Sequence, residues 1–191
     1  MKKLILIALA ALLSLSGNSL FAQNEEANNN SGQINFPKSD ISPMDEAIYR
    51  NPDEKVMARV IYSRPQKKDR EIFGKLVPYG QVWRTGANEA TELTLYQDMS
   101  IAGKTVKAGT YTVYTIPEQH EWTVILNSKT NTWGAFDYSE KEDVVRVKVP
   151  VKTAPTSIES FSMAFVPNDN GAKLLMGWDN KYVEVPFKAT M

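Results

Sequence analysis

Apolar and polar residues alternate in short stretches from Ile41 onward, and glycine, proline, asparagine or aspartate separates one stretch from the next. Alternation with a period of two is typical of strands that bury one face, and the separating residues are those that favour turns. The clearest example is the run Val145-Arg-Val-Lys-Val149. This pattern predicts an antiparallel all-β domain.

About eight or nine such stretches occur at roughly ten-residue spacing, which favours a β-sandwich or a small closed barrel. The best-defined hairpin joins residues 110–116 to residues 122–127 through a polar connection. One short helical turn is predicted at residues 69–73. The full set of predicted strands covers residues 56–62, 92–96, 99–106 with a turn through Gly103, 110–116, 122–127, 145–151, 161–165, 173–178 and 182–187.

The N-terminal residues have the order of features that a secretory signal peptide has. Two lysines follow Met1, an apolar run covers residues 4–15, and small residues precede Ala22. We expect cleavage after Ala22, then a flexible Asn-rich leader over residues 23–40 and a single β domain over residues 41–191. The protein is therefore predicted to be exported, either to the periplasm or out of the cell.

The same N-terminal region bears on membrane attachment. Its apolar run is about 12 residues long, shorter than the roughly 20 that a transmembrane helix needs. A bacterial lipoprotein anchor requires a cysteine at the cleavage point, and the chain contains none. We therefore expect neither a transmembrane helix nor a lipoprotein anchor.

Composition excludes several function classes. Basic and acidic residues number 22 each, so the formal net charge is zero and a nucleic-acid partner is not expected. Because there is no cysteine, a disulfide scaffold, a thiol nucleophile and a cysteine-ligated metal are excluded. His120 is the only histidine and falls in the polar hairpin connection. We accordingly predict no metal and no cofactor.

The segment between Tyr62 and Glu92 concentrates the residues that could bind a ligand. Loops held by a rigid scaffold commonly carry function, and a guanidinium offers a planar set of donors suited to carboxylate or phosphate. An indole and an amide in the same segment would suit a sugar-like ligand. We therefore expect a small anionic or sugar-like ligand, or an envelope protein partner. The predicted ligand-binding residues are Tyr62, Arg64, Arg70, Trp83, Arg84, Asn88 and Glu89.

Other interpretations of these residues remain open. The three arginines of the segment could instead form structural ion pairs with Asp69, Glu71 and Glu89. A hydrolase that uses Glu89 or Asp137 as acid or base is the alternative to a binding module, since paired carboxylates can hydrolyse a glycosidic bond. A further possibility is an aromatic platform that stacks on sugars, formed by Trp133, Phe136, Tyr138 and Trp178.

Several long and unusual strings resemble one family. They include Tyr62-Ser-Arg-Pro, the run from Arg70 to Gly80, and Trp83-Arg-Thr-Gly-Ala-Asn-Glu-Ala-Thr, with further matches at residues 108–111, 122–127, 133–134 and 143–146. Over residues 42–187 the chain resembles a bacterial envelope family known only as domain of unknown function twenty-nine eleven. The resemblance implies an exported β-rich domain with no assigned reaction and no defined catalytic residues. We therefore expect a non-catalytic binding module.

Overall fold

The computed structural model describes residues 34–168 and 171–190. The predicted signal peptide and the predicted leader up to residue 33 lie outside these residues. Contacts divide the chain into Met1–Pro37 and Lys38–Met191, and the fold below is that of the second unit. Within the described ranges, no helix has both the length and the apolar character needed to cross a bilayer.

The described chain forms two antiparallel sheets, so the predicted all-β class is confirmed in its two-sheet form. The six-stranded sheet has the order β1-β2-β3-β6-β7-β8, and the four-stranded sheet has the order β5-β4-β10-β9. The strands are β1 (Met44–Arg50), β2 (Val56–Ser63), β3 (Glu92–Leu95), β4 (Met99–Ile101), β5 (Lys104–Val106), β6 (Gly109–Pro117), β7 (Glu121–Asn127), β8 (Asp143–Pro150), β9 (Lys152–Asn168) and β10 (Gly171–Ala189).

Two features differ from the sequence prediction. The described residues contain ten strands, because β1 forms the edge of the larger sheet although its alternation is interrupted by charged side chains. The predicted helical turn at 69–73 was wrong: Lys68 and Asp69 have positive φ angles of 46° and 45°, which a right-handed helix does not allow. A single 3-10 turn lies instead at Glu140–Glu142.

Strand β10 doubles back on itself near Asp179. Asp179 has a left-handed φ of 53°, and the ladder to β9 is irregular on both sides of it. As a result, a Cβ built on Gly171 would lie 2.1 Å from the Phe187 carbonyl oxygen. The predicted strands 173–178 and 182–187 are the two arms of this element.

The main core lies between the sheets and is rich in aromatic rings. Trp122 of β7 and Phe161 of β9 are fully buried there. Trp83, from the loop between β2 and β3, contacts rings from both sheets: its centroid lies 5.1 Å from that of Phe161 and 6.3 Å from that of Trp122. This loop is therefore anchored by its indole ring in the centre of the domain.

A second, smaller core lies against the six-stranded sheet, built on Tyr114 and Ile125. Their chain neighbours Val113 and Val124 belong to the main core, and successive strand residues point to opposite faces. Residues Ala135 and Tyr138 of the β7–β8 connection cover this outer face. The centre of the sheet is thus buried on both sides, which explains why β6 is buried without interruption from Tyr111 to Thr115.

Candidate functional site

The candidate site is a cavity of about 610 Å³ beside the loop that joins β2 to β3. We call it the Arg84 cavity. Four of the seven predicted ligand-binding residues line it, namely Arg70, Trp83, Arg84 and Asn88. Its other principal lining residues are Asp40, Lys68 and Trp178.

Arg84 is the least satisfied polar residue of this cavity. Its Nε atom is buried and has no hydrogen-bond partner, and its guanidinium takes part in none of the ion pairs formed by the described residues. Burial lowers the pKa of Arg84, because desolvation disfavours the charged form. A buried donor without a partner costs about 1–3 kcal/mol, so an acceptor that entered the cavity would relieve this cost.

The backbone around Arg84 is fixed by pairing with β6. The Trp83 amide donates to the Thr115 carbonyl at 2.7 Å, and the Thr115 amide returns a bond at 2.9 Å. Thr85 is fully buried with a left-handed φ of 58°. Its carbonyl accepts a 2.7 Å hydrogen bond from the Thr91 hydroxyl. These contacts fix the backbone from which the Arg84 side chain projects before any ligand arrives.

Two indole rings form the apolar wall of the cavity. The Trp83 Nε1 donates to the Gly86 carbonyl at 3.1 Å, and the Trp178 Nε1 donates to the Glu159 carbonyl at 3.2 Å. Both ring nitrogens are therefore satisfied by the protein. Trp83 is 8% and Trp178 1% exposed, so the rings close the cavity on this side and present only a narrow apolar surface to a ligand.

The rim of the cavity carries further positive charge. The Arg70 guanidinium donates to the carbonyls of Gln66 and Lys67, which holds the loop in its turn. Lys68 follows within that turn, in a left-handed conformation. Against these cations stands one carboxylate, Asp40, whose Oδ1 accepts a 2.6 Å bond from the Ser42 amide. The lining is therefore net positive.

The remaining predicted ligand-binding residues lie elsewhere. Arg64 donates to Asp45 at 2.9 Å, to the Ser162 hydroxyl at 2.9 Å and to the Phe161 carbonyl at 3.2 Å. The structural ion-pair interpretation therefore describes Arg64, but with Asp45 as the partner in place of the carboxylates named from the sequence.

Tyr62 and Glu89 line a separate cavity of about 220 Å³. The Tyr62 hydroxyl accepts a 2.9 Å bond from the Met163 amide and donates to its carbonyl at 3.2 Å. Burial raises the pKa of this tyrosine. Its hydroxyl is thus committed to joining β2 with β9.

The carboxylates of the hydrolase alternative are not part of the Arg84 cavity. Glu89 is exposed and lines the smaller cavity, and the Asp137 carboxylate lies 3.8 Å from the Lys129 ammonium. The four aromatics named as a platform are also divided. Trp178 is packed in the main core, whereas Trp133 and Phe136 are 59% and 87% exposed.

Sequence reasoning missed Asp40 and Lys68 and did not place Trp178 at this site. The sequence could have indicated Lys68, since it lies in the same polar segment as the predicted arginines. No sequence pattern indicated Asp40, because it belongs to the predicted leader. Trp178 comes from the other sheet, and no local pattern connects it to Trp83.

Comparison with known proteins identifies the family of this chain. The family model described as Protein of unknown function (DUF2911) matches residues 42–187. The chain belongs to this family. Neither the curated proteins nor the solved structures gave a significant match.

The matched range of the DUF2911 domain contains every lining residue of the Arg84 cavity named above except Asp40. Within it the cavity combines guanidinium donors with an apolar lining. Such a combination can hold a carboxylate or phosphate group and an apolar or sugar-like body together.

Proposed function

We propose that this DUF2911 domain is a non-catalytic binding module for a small ligand that carries a carboxylate or phosphate group, and that the protein acts after export, in the periplasm or outside the cell. The observation that carries the proposal is the buried Nε of Arg84, which has no hydrogen-bond partner in a cavity of about 610 Å³. This volume lies within the range of roughly 300–1,000 Å³ found for small-molecule sites.

The cavity's charges favour an anion over a neutral ligand. Arg84, Lys68 and Arg70 line it together with a single carboxylate. Because the backbone at Arg84 is fixed by β6 and by the buried threonines, no backbone conformational entropy needs to be lost when an acid group binds the side chain. The anion then supplies a hydrogen-bond acceptor for the Arg84 Nε, which has none in the protein.

The apolar lining, in which Ile41 and Leu76 are exposed beside the two tryptophans, favours a ligand with an apolar portion next to its acid group. Trp83 and Trp178 are held by the main core, so the wall does not need to form on binding. Sugar acids, sugar phosphates and aromatic or branched organic acids have this combination of groups. No contact of the described residues favours the hydrolase alternative.

Thermal stability of the purified protein tests this proposal. The ligands are organic acids, sugar phosphates and the matching uncharged sugars. A ligand of the native state at a hundredfold excess over its Kd adds about 2.7 kcal/mol to the free energy of unfolding, so the midpoint should rise with an acidic ligand and not with its uncharged counterpart.

An Arg84→Gln variant assigns the site. It should bind the same ligand at least about tenfold more weakly, since charge-assisted hydrogen bonds contribute about 1.5–3 kcal/mol. Arg50→Gln is the matched control, because Arg50 is exposed and bonds only to the Glu54 carbonyl. The proposal is contradicted if Arg84→Gln binds the ligand with unchanged affinity. It is also contradicted if none of the acidic compounds in the set binds the protein.

Export is tested separately. Mass spectrometry of the protein recovered from the periplasmic and extracellular fractions should give a chain that begins at Gln23. A cytoplasmic chain that retains Met1 would contradict this part of the proposal and leave the binding site unaffected.

A further inference from the structure

A second cavity of about 610 Å³ lies where β8 leads into β9. Four lysines from three strands line it: Lys148 of β8, Lys152 of β9, and Lys173 and Lys188 of β10. We call it the lysine cleft. It shares no lining residue with the Arg84 cavity.

Most of the cleft is built on the outward face of the four-stranded sheet. In β10, Ala172, Leu174 and Phe187 are buried in the main core. Their neighbours Lys173 and Lys188 therefore point to the opposite face, because successive strand residues alternate. The reversal near Asp179 brings the two lysine-bearing arms together.

Carboxylates neutralise only part of this charge. Glu184 lies at the centre, and its Oε2 accepts from Lys173 at 2.8 Å and from Lys152 at 2.9 Å. Lys148 pairs with Glu121 at 2.5 Å. Lys188 forms no ion pair with the described residues.

Four ammonium groups thus face two carboxylates in a chain whose overall formal charge is zero. One carboxylate oxygen serves two of the lysines, so donors remain on both of them. Each ammonium has three donors and no acceptor. A ligand that supplied several acceptors and several negative charges would complete the cleft.

The kind of cation limits the class of ligand. Among the residues that line the cleft there is no arginine and no aromatic ring. Lysine recognises phosphate as a point charge and does not need the planar geometry that arginine reads. The lack of a ring in the lining disfavours a nucleobase, whose binding to single strands relies on stacking.

The shape of the cleft disfavours a membrane surface. It is concave and has a volume typical of small-molecule sites. Its apolar lining consists of small or ring-constrained residues such as Ala102, Pro150 and Pro186, together with the buried Val149. None of these is a large exposed side chain that could enter a bilayer.

We propose that the lysine cleft binds a small molecule that carries two or more phosphate groups. Each phosphate monoester carries about −1.5 to −2 charges at pH 7, so two groups carry about −3 to −4 charges, enough to pair with all four ammonium groups and with the spare donors that a single phosphate would leave.

Calorimetric titration of the purified protein with inorganic phosphate, pyrophosphate and tripolyphosphate tests the proposal. We expect tripolyphosphate to bind at least tenfold more tightly than phosphate, and its affinity to fall as salt is raised, because partly exposed charges are screened over about 8 Å at physiological ionic strength. No measurable binding of pyrophosphate or tripolyphosphate would overturn the proposal.

Paired variants separate the cleft from general surface charge. Lys148→Gln with Lys188→Gln should weaken tripolyphosphate binding at least tenfold. Lys55→Gln with Lys141→Gln removes the same charge at exposed lysines outside the cleft, and should change affinity by less than twofold. An equal loss in both double variants would overturn the proposal.

A charge-increasing variant gives the opposite sign. Glu184→Gln removes the central carboxylate and frees Lys152 and Lys173, so it should tighten tripolyphosphate binding. Glu118→Gln, in the exposed β6–β7 turn, should leave affinity unchanged. Weaker binding in Glu184→Gln would count against the cleft.

The remaining comparisons identify the occupant and the site. Arg84→Gln should leave tripolyphosphate affinity unchanged, so the cleft can be correct whether or not the Arg84 cavity binds a ligand. Loss of binding in Arg84→Gln would overturn the proposal. So would tighter cleft-dependent binding to vesicles of anionic lipid or to single-stranded DNA than to tripolyphosphate.

Discussion

The indole rings of Trp83 and Trp178 stack with their centroids 6.0 Å apart and their planes 17° apart. Trp83 belongs to the loop between β2 and β3, and Trp178 belongs to β10 of the other sheet. The pair closes the core and at the same time forms one wall of the Arg84 cavity. The stability of the domain and the proposed ligand binding therefore depend on the same contact.

Removing the Trp83 ring should strongly destabilise the domain. Trp83→Ala loses the stack on Trp178, the contacts with Phe161 and Trp122, and the Nε1 bond to Gly86. We expect a loss of about 3–5 kcal/mol in the free energy of unfolding, measured by urea denaturation. Trp133→Ala is the matched control at an exposed tryptophan, and should change stability by about 0.5 kcal/mol or less. Equal effects of the two substitutions would contradict the packing role of Trp83.

Arg64 should matter for stability and not for ligand binding. Arg64→Gln leaves Asp45 without its ion pair. It also removes the hydrogen bonds that the guanidinium donates to the Phe161 carbonyl and the Ser162 hydroxyl. The ion pair is half exposed, so we expect a loss of about 1–2 kcal/mol, mostly from the hydrogen bonds. Urea denaturation measures this loss. The affinity of the Arg84 cavity for an acidic ligand should stay within twofold of the original, and a larger fall would place Arg64 at the ligand.

Tyr138 should make the domain sensitive to alkali. Burial, and then the 2.8 Å hydrogen bond to Asp143, raise the pKa of Tyr138 to about 12, with Arg146 opposing and Glu140 adding to the shift. An unfolded tyrosine has a pKa of about 10. The folded state therefore keeps its proton longer, and the stabilisation from Tyr138 is complete below about pH 10 and is lost as the pH rises toward 12.

Urea denaturation at a series of pH values checks this sign. Tyr138→Phe should flatten the loss of stability between about pH 10 and 12. Tyr96→Phe, at an exposed ring, should follow the unmodified protein. Parallel pH profiles for Tyr138→Phe and the unmodified protein would contradict the assignment.

Gly171 should tolerate no side chain. It has a φ of 145°, and a Cβ there would lie 2.1 Å from the Phe187 carbonyl oxygen, so Gly171→Ala must push the arms of β10 apart. We expect a loss above about 3 kcal/mol. Gly103→Ala has open space around its Cβ and a φ of 86°, so it should cost only about 1–2 kcal/mol. Differential scanning calorimetry compares the two, and similar midpoints would exclude the close approach of Gly171 to Phe187.

Local patterns predicted the strands well where alternation was clean. Residues 56–62 and 122–127 lie within β2 and β7, and 99–101 matches β4. Alternation failed at β1, because the apolar Met44 and Ile48 lie on its exposed face and the charged Asp45 lies on the more buried face with Tyr49. The sequence pattern also predicted a helical turn at 69–73. The positive φ angles of Lys68 and Asp69 give the backbone there a left-handed conformation instead.

The candidate site was predicted in part. The sequence indicated the Arg-rich segment, and four of its seven named residues do line the Arg84 cavity. It did not distinguish Arg84 from Arg64, because the partners of Arg64 lie at residues 45, 161 and 162. Whether a guanidinium is paired depends on residues that only folding brings near it.

The sequence by itself determined the all-β class and the positions of most strands and turns, because period-two alternation and turn residues act over a few neighbouring positions. It also determined membership of the family, through its long and unusual strings. Only the tertiary structure decided which arginine is left without a partner and which lysines share a cleft. Both outcomes depend on contacts between distant parts of the chain, such as Trp83 with Trp178 and Lys152 with Glu184. Those contacts follow from how the two sheets pack and from how β10 lies against β9, which spacing along the chain does not encode.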